Sequence, residues 1–157
     1  MLTSDYIDEH KPLVCICIPT YNAEDTIREA LNSILTQTYS NLIVHVSDNA
    51  STDNTLSVVK SFKDPRIVIH KQLDNLGAEG NFSKCIQLAE GKYTAIFHAD
   101  DIYEKNIVEE QVLFLENNPN IGSVFTEATT IDKQGQKTGT IGHVPDSKGK
   151  ESLDFIT

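Results

Sequence analysis

The run LVCICI, Leu13–Ile18, is apolar at every position and stops at Pro19. A strand with one wet face alternates apolar and polar residues, so an unbroken run belongs to a strand covered on both faces. Further strand-like runs follow: LIVHVSD (Leu42–Asp48), RIVIH (Arg66–His70) and YTAIFHA (Tyr93–Ala99). Between them the period switches to that of a helix. Ile27, Leu31, Ile34 and Leu35 share one face of a helix over about 24–37, with Glu24 and Asp25 in its first turn, where the dipole favours negative charge. Leu56, Val59 and Phe62 mark a second helix, capped by Ser51 or Thr52. Phe82, Cys85, Ile86 and Ala89 mark a third, opened by the glycine-rich DNLGAEGN and ended by Gly91. A fourth, over about 104–117, stops before Asn118-Pro119. IGSVFTEATTI reads as a fifth strand, and DKQGQK as a hairpin turn with Gly135 in the left-handed position. This alternation predicts an α/β fold, a mostly parallel sheet with helices on both faces.

Length and charge narrow the function. The 157 residues suit one domain, and a hydrophobic fraction of 39% supplies a core. With 23 acidic against 13 basic residues the net charge is −10, which disfavours nonspecific binding to nucleic acid or to an anionic membrane. No apolar run approaches the ~18 residues of a membrane-spanning helix. The polar, acidic start MLTSDYIDEHK is unlike a secretory signal peptide. Cys15 and Cys17 alternate with Val14, Ile16 and Ile18, so they and Cys85 read as small core residues of a reducing compartment rather than as a metal cluster.

Ligands of open parallel sheets bind beyond the carboxyl ends of the strands. Three polar clusters stand there: Pro19–Asn22, Asp48–Asn49 and His98–Asp101. Asp100 and Asp101 admit two readings. Asp101 caps a helix beginning near Tyr103, or the pair holds a hard divalent cation shared with substrate phosphates, which also removes their mutual repulsion. His98 is either a further ligand or a loop hydrogen-bonding group. Tyr21 is a surface aromatic or a platform for a flat base, a contact worth roughly 1–3 kcal/mol. Asn22 can satisfy loop backbone groups. Asp48, at a strand tip, can accept hydrogen bonds from a base N–H or ribose hydroxyls, whereas Asp53 suits the first turn of a helix. The loop with Gly77 and Gly80 lacks both the GxGxxG spacing and the Lys-Ser/Thr ending of a P-loop, so the glycines serve a tight turn or a close approach to a ligand.

Taken together, CICIPTYNAEDTIREALNSILTQTYSNLIVHVSDNASTDNT and NLGAEGNFSKCIQLAEGKYTAIFHADD closely resemble the family 2 glycosyltransferases of the GT-A fold, over roughly Pro12 to Asp132. The resemblance implies a nucleotide-diphospho-sugar donor at the strand ends and transfer to an acceptor hydroxyl with inversion of the anomeric centre. It implies that Pro19, Thr20, Tyr21 and Asn22 hold the base, and that Asp48 contacts the base or ribose. Glu24, Asn49, Gly77 and Asn81 fall in the same nucleotide-sugar set. His98-Ala99-Asp100-Asp101 matches the family's Asp-x-Asp motif, which implies that His98, Ala99 and Asp100 belong to the nucleotide-sugar set at the ribose and that Asp100 and Asp101 hold Mg²⁺ or Mn²⁺ at the diphosphate. Few lysines or arginines flank these motifs, and a diphosphate nearing a chain of this charge needs a cation.

The departures matter too. Many relatives have aspartate where His98 stands, and many carry an arginine in the loop matching Gly77–Asn81. Family members continue into an acceptor-binding half, where the general base usually lies; Glu127 and Asp132 match no catalytic motif. The expected organisation is a tail over 1–11, a Rossmann-like GT-A nucleotide-sugar-binding domain over 12–132, and over 133–157 the start of the acceptor half, loosely ordered or part of a larger unit. The chain then reads as a donor-binding fragment. Its expected partners are the donor and a saccharide or lipid-linked acceptor, with no nucleic acid, and a homo-oligomer remains a further assembly to test. Its expected place is the cytoplasm, peripheral to the inner membrane, in bacterial surface polysaccharide synthesis. The competing reading is a noncatalytic GT-A-like domain serving oligomerisation or partner binding. A sugar nucleotidyltransferase would need a glycine-rich loop with Arg and Lys after the first strand, and PTYN offers none.

Overall fold

A computed structural model of the chain describes residues 11–132 and 134–142. The tail expected over 1–11 therefore lies, apart from Lys11, outside the described residues, as does most of the segment expected to be loosely ordered. The chain divides into two compact units, Met1–Glu109 and Glu110–Thr157.

The first unit runs β1 (Val14–Thr20), α1 (Ile27–Leu35), β2 (Leu42–Asp48), α2 (Thr55–Ser61), β3 (Ile67–Lys71), α3 (Gly77–Leu88), β4 (Tyr93–Ile96). The sheet order is β3-β2-β1-β4, and every neighbouring pair is parallel. β1 and β2, at the centre, are buried along nearly their whole length, as the unbroken apolar run requires. Pro19 and Thr20, expected in a loop, are instead the last residues of β1, in register with Ser47 and Asp48. Proline is tolerated there because pairing with β4 has already ended at Cys17–Ile96, so no partner on that side needs its missing N–H.

Side chains alternate across the sheet. Cys15 and Cys17 pack with Cys85 of α3 and with Leu88, Ile43 and Ile96 on one face. Ile16, Ile18, Val44 and Val46 point the other way and are fully buried, in keeping with the layer made by the buried stripe Ile27, Ala30, Leu31 and Ile34 of α1 and Val59 of α2. All three cysteines are free thiols. On the α3 face a polar chain crosses the apolar layer. His45, in register with Cys17, meets His70 (Nδ1 to Nε2, 2.7 Å) and Glu90 (Nε2 to Oε1, 2.8 Å).

Several expected boundaries move. α1 spans Ile27–Leu35, so Glu24 and Asp25 precede it. Neither Ser51 nor Thr52 caps α2; the Thr55 N–H donates to Asp53 Oδ1 at 2.9 Å, and Ser51 and Thr52 bond across to another loop. α3 buries Asn81 and Cys85, while Ile86 is 65% exposed; a polar bond to β2 outweighs apolar periodicity there. α3 ends at Leu88, not Gly91. Gly91, at φ 78°, serves the turn into β4, where a Cβ would stand 2.6 Å from the Leu13 carbonyl oxygen. β4 stops at Ile96, although the Phe97 N–H still reaches the Cys17 carbonyl at 2.9 Å.

The second unit takes up most of α4 (Ile107–Asn117) and a hairpin of β5 (Ala128–Ile131) and β6 (Lys137–Ile141). The hairpin and left-handed Gly135 (φ 76°) are as expected. The fifth strand is shorter than its apolar run, begins only at Ala128, and pairs antiparallel with β6 rather than extending the parallel sheet. β6 opens inside the segment expected to be loosely ordered. Asp132 is taken up by this turn, its Oδ1 accepting the backbone N–H groups of Gln134 and Gln136 at 2.9 and 2.8 Å.

Candidate functional site

The carboxyl ends of β1 and β2 and the start of α3 surround a cleft of about 350 Å³, lined by Pro19, Thr20, Tyr21, Asn49, Asn75, Ala78, Asn81 and Phe82. Five of these were expected from the sequence. Tyr21, with half of its surface exposed, offers its ring there. Asn49 and Asn81 shape the cleft from below. Asn81 is buried and accepts from Ser47 Oγ (2.7 Å) while donating to the Ser47 carbonyl (3.0 Å). The two ends of the Asn49 amide hold the next loop: Oδ1 accepts the Leu76 N–H (2.8 Å), and Nδ2 donates to Asn75 Oδ1 (3.0 Å) and the Gly77 carbonyl (3.1 Å). Gly77 has φ 73°, and a Cβ on it would meet nothing within 4 Å. Its freedom thus serves the turn into α3 rather than a close packing contact.

Asp48 is the anomaly of this edge. Its side chain is fully buried, and its Oδ2 accepts the Ser51 N–H at 3.2 Å. Among the described residues its Oδ1 is the buried side-chain oxygen with no hydrogen-bond partner. A buried acceptor left unpaired costs about 1–3 kcal/mol, so such groups call for a donor brought from elsewhere. Thr20, its register partner, and Asn49, its chain neighbour, both line the cleft. Ala50, two residues on, is held at φ 60°, a left-handed conformation that side chains other than glycine avoid.

Asn22 and Glu24 do something else. The loop after β1 and the loop after β2 are cross-bonded: Asn22 N–H to Ser51 Oγ (3.0 Å), Thr52 N–H to Asn22 Oδ1 (2.9 Å), Glu24 N–H to Asp53 Oδ2 (3.1 Å), Asn54 N–H to Glu24 Oε2 (2.9 Å). Asn22 itself sits at φ 47°. Asn22 Oδ1 and Glu24 Oε2 are both spent on this weld, which fixes the strand tips.

At the end of β4, Asp100 and Asp101 are exposed, as is His98, while Ala99 is buried. α4 begins at Ile107, six positions after Asp101, so helix capping does not account for that carboxylate. The His98 ring lies 5.7 Å from Phe82 of the cleft wall, tilted by 58°. Its backbone N–H donates to the Tyr103 hydroxyl at 2.6 Å. Burial, chiefly, pushes that hydroxyl's pKa well above its ordinary value. Among the described residues no three His, Cys, Asp or Glu side chains converge to hold an ion. Asp100 and Asp101 are hard oxygen donors that fit Mg²⁺ or Mn²⁺ as part of a shell, the remaining positions falling to substrate phosphate and water, as is usual for Mg²⁺.

Asn75, Ala78 and Phe82 were missed as lining residues. A signal existed in the Asn-Leu-Gly step before α3, where an asparagine bonds its own loop: Asn75 Oδ1 accepts the Gly77 N–H at 2.8 Å.

The glycosyl transferase family 2 model matches residues 15–155. WfaP of Escherichia coli, a UDP-Glc:alpha-D-GlcNAc-diphosphoundecaprenol beta-1,3-glucosyltransferase, is 36% identical over 104 residues, 66% of this chain and 41% of its own. The putative teichuronic acid biosynthesis glycosyltransferase TuaG of Bacillus subtilis is 30% identical over 139 residues, 87% of this chain and 55% of its own. The chain thus spans about half the length of these curated relatives, or less. Among solved structures, S. aureus TarS 1-349 in complex with UDP-GlcNAc superposes with TM-score 0.64 at 26% identity, covering 68% of this chain and 32% of that one. The mannosyltransferase PcManGT from Pyrobaculum calidifontis, in complex with GDP-Man and Mn2+, gives TM-score 0.62 at 28% identity, covering 68% and 33%. The parallel sheet, the cleft at its carboxyl edge and these likenesses agree, and the chain belongs to glycosyl transferase family 2.

Proposed function

We propose that this chain is the donor-binding part of an inverting, metal-dependent glycosyltransferase that uses a nucleotide-diphospho-sugar. The observation that carries the reading is the unpaired, fully buried Asp48 Oδ1 at the tip of β2. A base N–H or a ribose hydroxyl is the kind of donor that would satisfy it. Tyr21 offers a stacking face in the cleft, whose walls include Pro19, Thr20, the register partner of Asp48, and Asn49, its chain neighbour. Asn22, Glu24, Gly77 and Asn81 act indirectly, by holding the loops that make the cleft.

Asp100 and Asp101 would hold Mg²⁺ or Mn²⁺ together with diphosphate oxygens, and His98 and Ala99 would present the sugar-proximal side of the same loop. When bound, the ion supplies charge neutralisation for the departing nucleotide diphosphate. An acceptor hydroxyl attacks the anomeric carbon from the opposite face. The C–O bond to the diphosphate breaks with its electron pair, and the hydroxyl proton passes to a carboxylate base belonging to the acceptor-binding half. Exposed Asp100 and Asp101 and the PcManGT complex with Mn2+ support the metal; the WfaP and TuaG likenesses support a role in surface polysaccharide synthesis with a lipid-linked acceptor. No helix among the described residues is long and apolar enough to cross a membrane, and work on a lipid-linked acceptor suits a peripheral position.

Calorimetric titration with UDP, GDP and dTDP, each with and without Mn²⁺, tests the reading. At least one nucleotide should bind, and more tightly with the ion. No binding to any of them would overturn it.

A further inference from the structure

We propose that Tyr103 is a positioning residue that holds the Asp100–Asp101 loop in its metal-ready shape. The inference rests on the donor-binding reading above. Phe97 and Tyr103 bracket the loop, and their rings stack with centroids 3.8 Å apart and planes 9° apart. Phe97 is buried under the sheet end, so the tyrosine is seated on a fixed surface. The Tyr103 hydroxyl accepts the His98 N–H at 2.6 Å, which closes the chain from 98 to 103 into a ring that carries the exposed residues Asp100 and Asp101. Two adjacent anions repel, and an open loop would relieve that repulsion by spreading. The stacked ring and the hydroxyl oppose it.

α1 anchors the same ring from behind. The Tyr103 N–H donates to Ser33 Oγ at 3.1 Å, and Ser33 Oγ donates to the Ala30 carbonyl at 2.8 Å. Gln37 grips the chain just beyond, through Nε2 to the Glu104 carbonyl (2.8 Å) and Oε1 from the Val108 N–H (3.2 Å). Neither Ser33 nor Tyr103 lines the cleft. Loss of the Tyr103 hydroxyl should therefore leave nucleotide contacts alone and affect only what the two carboxylates hold.

The test compares UDP binding by calorimetry, with and without Mn²⁺, and the electron paramagnetic resonance signal of Mn²⁺ in the ternary mixture. Four chains are used: the unaltered chain, Tyr103→Phe, Ser33→Ala, and the Asp100→Ala/Asp101→Ala pair as the floor. Tyr103→Phe keeps the stacked ring, and its thermal unfolding is recorded alongside. In the unaltered chain Mn²⁺ should strengthen UDP binding, and the double aspartate variant should abolish that gain. Tyr103→Phe should cut the gain by about tenfold, the size of one lost hydrogen bond, with metal-free UDP affinity within about twofold. Ser33→Ala should act in the same direction, more weakly. If Mn²⁺ gives no gain in the unaltered chain, the metal reading fails. If the gain exists and needs the aspartates but survives in both Tyr103→Phe and Ser33→Ala, the positioning role fails. An equal loss of metal-free and metal-dependent affinity in Tyr103→Phe would also overturn it, because general loosening would then suffice.

Discussion

Ser47 Oγ donates to Asn81 Oδ1 at 2.7 Å, and Asn81 Nδ2 returns a bond to the Ser47 carbonyl at 3.0 Å. This reciprocal pair ties the first turns of α3 to the tip of β2, where both residues are buried. Asn81→Ala removes both halves and leaves the serine hydroxyl without its acceptor. Urea unfolding should show a loss of about 1–3 kcal/mol. A loss below about 0.5 kcal/mol, the range of an ordinary surface change, would mean the pair does not hold the cleft.

Asp48→Asn keeps an oxygen for the Ser51 N–H but replaces the unpaired acceptor with a donor. Nucleotide affinity, measured by calorimetry with UDP, should weaken by about tenfold or more, the scale of a buried hydrogen bond left unmade. Unchanged affinity would remove Asp48 from the binding site.

Ala50 holds a left-handed backbone at φ 60° between Asn49 of the cleft and Ser51 of the loop weld. A β-branched side chain is the worst occupant of such a backbone. Ala50→Val should lower stability by about 1–2 kcal/mol, the per-residue left-handed penalty, and Ala50→Gly should not. Equal stability of the three chains in denaturant would show that the loop relaxes out of this conformation.

His70 predicts a pH effect with a definite sign. Burial, then the His45 and Lys84 charges, lower its pKa in the fold. Below the ordinary value of about 6.5 the unfolded chain binds the proton more readily than the folded one. The contribution of His70 is therefore fully present above that pH and is lost as pH falls through the folded value. Melting temperature should drop from pH 7 toward pH 5, and His70→Asn should flatten part of that slope. An identical slope in the variant would sever the link.

The three cysteines should be silent in the native state. Burial pushes Cys85 up to about 11, and the hydrogen bond with Cys15, together with burial, holds the Cys17 thiol protonated; the same bond pulls Cys15 the other way, down to about 6, so its silence rests on burial alone. All three are fully covered by their neighbours. A thiol reagent at neutral pH should label almost none of them until denaturant is added, and then all three. Rapid native labelling would contradict the packing of β1 on α3.

Residue pattern along the chain is enough to specify the sheet and which end of it matters. The unbroken apolar run Leu13–Ile18 and the largely apolar Leu42–Val46, interrupted only by His45, are stable between two layers, and helix-length connections make the strands parallel. The polar residues at their carboxyl ends then had one edge to share. Tertiary structure alone decided the division of labour at that edge. Asn22, Glu24, Asp48 and Asn81 look alike as polar residues near that edge, but all four bond neighbouring chain and Asp48 alone among them also keeps a buried oxygen unpaired. The side-chain period of a strand or helix says which face a residue takes, not which partner crosses over to meet it. The same limit hid the contact between Tyr103 and His98, because an aromatic seven residues past a strand end carries no local signal of the loop it closes. It also left the fifth strand misplaced, because pairing of β5 with β6 depends on which neighbour offers an open edge, a property of the assembled sheet and not of the run itself.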